Sequence, residues 1–198
     1  AVDFRGPEKR FLLREDDDML RLWEVAGAPH SPDLPGDQVT RAAYGQRDGL
    51  RRSVRAPTQL PGSHVTSWYS TMAAYFHVHR WLNGGPPPPS MPRLRFTESA
   101  DPQLIRDEYG IGTGGIRLPE VDVPVELNTG LPNRMNVGRN SGYSEAFTPE
   151  RIKLLYPEHD VYVQRVTHAA KAALSAGVIL RDRYERYVAD AKSAKFPA

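Results

Sequence analysis

The segment Met19-Leu20-Arg21-Leu22-Trp23-Glu24-Val25-Ala26-Gly27-Ala28-Pro29-His30 decides how the chain is read. Leu20, Leu22 and Val25 are apolar with Arg21 and Glu24 between them, close to the period-2 pattern of a half-buried strand. Gly27 and Pro29 break that strand, and the small-residue turn delivers a single histidine, His30. Imidazole titrates near neutral pH, so a ring held at a rigid strand end suits proton transfer to and from a reacting hydroxyl. His30 is therefore the candidate general base. By spacing alone, a histidine after a strand also reads as a surface or capping residue.

Composition sets the outer limits. A chain of 198 residues forms one domain, or one core piece with an extension. Hydrophobic residues at 39% can build a core, while a mean hydropathy of -0.55 marks a polar, loop-rich chain. The 18 prolines and 16 glycines point the same way, yet stay below the level of wholesale disorder. A net charge of +2 gives no argument for nucleic acid as a partner. The absence of cysteine excludes disulfides, thiolate chemistry and cysteine-ligated zinc or iron–sulfur sites, and leaves the compartment open. No apolar run is long enough for a membrane span, and no signal peptide is visible. No pattern calls for a cofactor or a metal.

Moving outward along the chain, the acidic run Glu15-Asp16-Asp17-Asp18 reads as a solvated turn ahead of the strand. Ser31 to Pro61 carries Arg41, Arg47, Arg51, Arg52 and Arg55 with Tyr44 as its sole aromatic residue. Without interleaved aromatics it reads as a solvated excursion rather than a nucleic-acid patch. Ser63 is placed to cap a helix, along which Val65, Trp68, Tyr69, Met72, Phe76, His79 and Leu82 form an apolar stripe. Asn83, Gly84 and Gly85 end the helix, and Pro86 to Pro89 enforce an extended spacer. His77 and His79 are two residues apart, roughly 200° around a helix, so they do not share one metal ion. This pattern puts His79 in the packing stripe and His77 on the opposite side.

Arg93-Leu94-Arg95-Phe96 alternates like a short edge strand. The run Gly110-Ile111-Gly112-Thr113-Gly114-Gly115 resembles a phosphate cradle in composition, but a cradle needs a helix after it. Ile116 to Val125 instead reads as extended, with Pro119 and Pro124, so Gly114 and Gly115 are assigned to a tight turn. Further on, Thr148, Pro149 and Glu150 begin a short helix that stops at Tyr156-Pro157. A second helix is expected over residues 158 to 176, with Val161, Val166, Ala169, Ala173 and Ala176 mostly on one face. A third follows from Asp182 with Tyr184, Tyr187, Val188 and Ala191 inward. These helices read as packing surfaces without convergent titratable groups, and His159 and His168 as solvent-facing.

The run Trp23-Glu24-Val25-Ala26-Gly27-Ala28-Pro29-His30 resembles the histidine segment of a bacterial family of α/β-hydrolase domain proteins, in which W-E-V-A-G-x-x-H carries the triad histidine. Three later segments resemble the same family in the same order. They are Gly62-Ser63-His64-Val65 through Arg80-Trp81-Leu82 and the prolines; Gly114-Gly115-Ile116-Arg117-Leu118-Pro119-Glu120-Val121-Asp122-Val123-Pro124; and Phe147-Thr148-Pro149-Glu150-Arg151 through Leu155-Tyr156-Pro157.

The resemblance implies an α/β fold class and a serine hydrolase whose triad follows the chain order serine, acid, histidine. No G-x-S-x-G occurs in the sequence, and only 29 residues precede His30. The chain is thus expected to be the C-terminal part of an α/β-hydrolase-like fold, with last core strand, histidine loop and final helix. Ala1 in first position fits a processed or truncated chain, and equally fits loss of an initiator methionine. Residues 1–82 are expected to form the core piece. Residues 83–198 form a family-specific extension of proline-rich spacer, glycine-rich extended region and three helices. The function implied is hydrolysis of an ester-type small molecule, with His30 as general base. The nucleophile and acid would come from an N-terminal segment or a second chain. The alternative is a non-catalytic binding or scaffold module that docks on a partner protein.

Overall fold

In the computed structural model, whose described residues are 15–29, 61–130 and 142–195, the segment leading to His30 is extended but makes only one bridge. His30, the arginine-bearing residues 31–60, the end segments 1–14 and 196–198, and residues 131–141 lie outside the described residues. Val25 bridges Ile116 in parallel: Ala26 N–H donates to Ile116 O at 2.9 Å, and Ile116 N–H donates to Glu24 O at 2.6 Å. Every residue from Glu24 to Pro29 is buried, so the alternation expected of a half-buried strand is lost there. Glu24 turns inward rather than to solvent, and its Oε2 accepts the Leu94 N–H at 2.9 Å. That donor meets the need of a buried carboxylate for a partner.

The acidic run also differs from a purely solvated turn. Asp17 and Leu20 do close a turn, but Asp16 accepts from Leu22 N–H at 3.0 Å and pairs with Arg93 at 2.9 Å. The Leu22 bond, with help from Arg93 and Arg21, holds the Asp16 carboxyl below the usual range despite some burial.

Helix α1 spans Trp68–Leu82, five residues later than Ser63 implies. Its N-cap is Ser67, with no side-chain capping bond, while the Ser63 hydroxyl accepts the Val65 N–H. The face turned inward is not the large apolar stripe. It consists of Ser70, Ala73 and His77, with Trp81 half-buried at its end. Small side chains let the rest of the chain approach closely there. Trp68, Met72, Tyr75, Phe76 and Leu82 stay exposed. The two histidines exchange their expected places accordingly: His77 bonds Gly177 O through Nε2 at 2.9 Å, and His79 is exposed. Asn83 ends the helix as expected, followed by Gly84 at φ 82°. The proline run is pinned rather than free, since Arg21 donates to Pro88 O and Trp23 Nε1 to Pro89 O.

Leu94 and Phe96 make isolated antiparallel bridges to Gly114 and Leu104. Gly114 and Gly115 have φ of 74° and 65°, the left-handed conformation that their tight turn requires. Beyond them the chain is not extended throughout. Pro119 occupies the first turn of a short helix, α2 (Pro119–Asp122), where its fixed φ and missing N–H cost nothing. Strands β1 (Glu126–Thr129) and β2 (Tyr143–Ala146) pair antiparallel, with Glu126 opposite Ala146 and Asn128 opposite Ser144.

Three helices follow. In α3 (Pro149–Leu155) the Thr148 hydroxyl accepts the Arg151 N–H, and Tyr156 forms the C-cap. Helix α4 (His159–Ser175) buries Val166, Ala170 and Ala173, and α5 (Arg181–Ser193) buries Tyr187 and Ala191. They pack on each other across a turn at Gly177. His159 is half-buried rather than solvent-facing, with Nε2 2.9 Å from Ala191 O. Val25, Val65, Ile111, Leu118, Val121, Val166 and Ile179 belong to one apolar cluster, so residues on both sides of Leu82 share a core. Among the described residues, no helix is long and apolar enough to cross a membrane.

A methyl group at Gly115 would lie 2.8 Å from Glu24 O and 2.9 Å from Leu94 Cδ2, on a backbone already at φ 65°. Gly115→Ala is expected to destabilise the fold by about 2 kcal/mol or more, read as a lower urea midpoint.

Candidate functional site

Glu126 and Asn128 are two residues apart in β1, so the pleat puts both side chains on one face. The segment Pro61–Val65 crosses that face, tethered by Ser144 N–H to Pro61 O at 2.8 Å. The Asn128 amide, fully buried, uses both ends: Oδ1 accepts the His64 N–H at 2.8 Å, and Nδ2 donates to Glu126 Oε1 at 3.0 Å. The same Glu126 oxygen meets His64 Nδ1 at 2.6 Å. His64, Glu126 and Asn128 thus close a ring of hydrogen bonds.

Ser63 joins that ring to the histidine turn. Its Oγ lies 3.4 Å from both Gly27 O and Asn128 Oδ1, and its single proton serves one of them at a time. Fully buried, Ser63 is a brace and not an exposed nucleophile. The end of β1 also abuts the turn, because a Cβ at Gly130 would lie 2.9 Å from Ala28 O and 3.6 Å from Pro29 Cα. The turn Gly27–Pro29, Ser63–His64 and β1 therefore meet at one place, directly before His30. His30 itself lies outside the described residues.

A second cluster stands behind β1. Tyr187 Oη donates to Glu120 Oε2 at 2.6 Å, and the Arg183 guanidinium lies over the rings of Tyr69 and Tyr187 at 3.6 and 3.9 Å. Burial of the carboxyl end raises the Glu120 pKa, and the Glu126 charge pushes the same way, although the Tyr187 bond and Arg183 oppose them. Glu120 as a whole is only partly buried, but its carboxyl group is enclosed beneath Tyr187. The Tyr187 hydroxyl is pushed far up, first by its own burial and then by Glu120. The C-terminal helices thus contribute titratable groups to a shared cluster, contrary to their reading as packing surfaces alone.

His64 was legible only as part of a motif, and its role as partner of Glu126 was missed. The i, i+2 spacing of Glu126 and Asn128 was a usable signal of a polar strand face. The 62-residue separation from His64 was not. Among the described residues, no group of three or more histidines or carboxylates is arranged to hold a metal ion.

A family model described as an alpha/beta hydrolase domain matches residues 7–189, which include the histidine turn, the His64 segment, β1 and nearly all of α5. The chain belongs to this alpha/beta hydrolase domain family. No curated protein and no solved structure matches it. Membership assigns a hydrolase-type function, and the helices with their two-stranded sheet are a partial version of the α/β architecture.

Asn128→Ala would leave the His64 N–H and the Glu126 carboxylate without their buried partner. It is expected to cost about 2–3 kcal/mol in chemical denaturation. The raised Glu120 pKa has a defined sign. Stability is greatest below the ordinary glutamate value of 4.5 and is lost as pH rises through the raised folded-state value. Glu120→Gln keeps an oxygen for Tyr187 Oη, so its stability relative to wild type should improve steadily as pH rises, as followed by urea midpoints at a series of pH values.

Proposed function

We propose that this chain serves an ester-cleaving serine hydrolase as its C-terminal part, with His30 as the general base. The observation that carries the reading is the buried turn Gly27–Pro29, held by Ser63 and Gly130 beside the His64–Glu126 pair and aimed at His30. A base must be held in place to act, and this turn is anchored on both sides. His30 takes the proton of a serine hydroxyl as it attacks the ester carbonyl, then returns it to the leaving alcohol. The serine, the acid that fixes the imidazole tautomer and the oxyanion donors come from an upstream segment or a second chain, since the sequence holds no G-x-S-x-G.

The exposed face of α1 supports such a partner. Trp68, Met72, Phe76 and Leu82 recur at three-, four- and six-residue steps on one side of the helix. In a layered α/β fold, an apolar helix face of this kind packs on a sheet. The same face also favours the alternative of a non-catalytic module that docks on a partner protein.

Intact-mass measurement with fluorophosphonate labelling separates the two. The hydrolase reading expects a labelled, serine-bearing companion, and His30→Ala should slow its labelling by about a thousandfold or more. A lone 22.2 kDa chain with no labelled companion would contradict the two-piece enzyme, and labelling indifferent to His30→Ala would contradict the role of His30.

A further inference from the structure

The mechanism above leaves one built histidine–carboxylate pair unused. We propose that His64, oriented by Glu126 and Asn128, is a second acid–base residue of the site, which binds a hydroxyl oxygen of the ester substrate or of attacking water through Nε2. The substrate named rests on the hydrolase reading, whereas the geometry does not.

The hydrogen-bond ring fixes every donor. His64 gives its backbone N–H to Asn128 Oδ1, which orients the Asn128 amide so that Nδ2 faces Glu126. Glu126 then accepts from Asn128 Nδ2 and from His64 Nδ1 at the same oxygen. An ionised carboxylate has no proton to give, so the proton of this contact sits on His64 Nδ1. The neutral ring therefore keeps its lone pair on Nε2, the atom that a base uses.

Two other histidines are set the opposite way. His77 and His159 each direct Nε2 at a backbone carbonyl, Gly177 O and Ala191 O, both at 2.9 Å. A carbonyl only accepts, so their Nε2 atoms carry protons and those rings act as structural pins. His64 differs in exposure as well as in tautomer. Its side chain is 37% exposed and that of Glu126 21%, which leaves the carboxylate behind the imidazole and the ring toward solvent. The pair also lies where a substrate of His30 would lie, because Ser63, its chain neighbour, contacts Gly27 O in the histidine turn.

The proton balance is simple. A proton passes from the bound hydroxyl to His64 Nε2, the Glu126 carboxylate stabilises the imidazolium, and the proton returns to the departing alkoxide. Glu126 and Asn128 are positioning residues in this scheme.

Two measurements test it. In nitrogen-15 spectra of the wild-type chain, neutral His64 should be the Nδ1–H tautomer, and Glu126→Ala should shift it toward Nε2–H. A wild-type Nε2–H tautomer overturns the proposal, whether or not any variant folds. In the fluorophosphonate-reactive complex, His64→Gln should lower ester kcat about a hundredfold while the serine still labels. An unchanged kcat in that labelled complex also overturns it. Absence of labelling from the wild-type complex would instead contradict the hydrolase reading, with the tautomer still deciding the geometry of the pair.

Discussion

Everything near the functional end depends on the pairing of Glu24 and Ala26 with Ile116. Two backbone hydrogen bonds, at 2.6 and 2.9 Å, hold the histidine segment against the turn made by Gly114 and Gly115. Glu24 adds a third tie through its carboxylate to Leu94. The result is a thread buried from Glu24 to Pro29 with its polar groups met, which is what allows it to run through an apolar cluster. A loop on the surface would give His30 no fixed point of departure. This one starts from the core.

The polar ring of His64, Glu126 and Asn128 extends that order to the neighbouring face. A buried amide satisfied at both ends permits one arrangement of its partners, because any flip of Asn128 would set donor against donor at His64. Ser63 then couples the ring to Gly27. Behind it, the enclosed Glu120 with Tyr187 and Arg183 ties β1 and α2 to the C-terminal helices. The alpha/beta hydrolase family thus has here a partial α/β architecture in which helices far along the chain brace the region around a histidine near its start.

How much of this could be read from residues alone follows the range of the interactions. Local signals succeeded: Thr148-Pro149-Glu150 starts α3, Asn83 and Gly84 end α1, and Gly114-Gly115 makes the tight turn. Pro119 misled because a proline suits both an extended run and a first helical turn, and the acidic residues that follow it settled on the latter. Glu24 was placed outward because its donor, the Leu94 N–H, is 70 residues away. The stripe on α1 was amphipathic as read, but periodicity does not say which face this chain covers. Ser70, Ala73 and His77 are small or polar enough to lie close under the chain, and the large side chains remain outside. Of the candidate site, the motif around His64 was visible, but its pairing with Glu126 was not, since nothing in either segment encodes the fold that joins them.

The central claim is that the histidine turn and the His64 ring open and close as one rigid unit. Native-state hydrogen exchange tests this at three amides with different partners: Ala26 and Ile116, which pair with each other's segments, and His64, which donates to Asn128. The account expects all three to exchange slowly and with closely similar opening free energies. Exchange at His64 that is orders of magnitude faster than at Ala26 and Ile116 would contradict it.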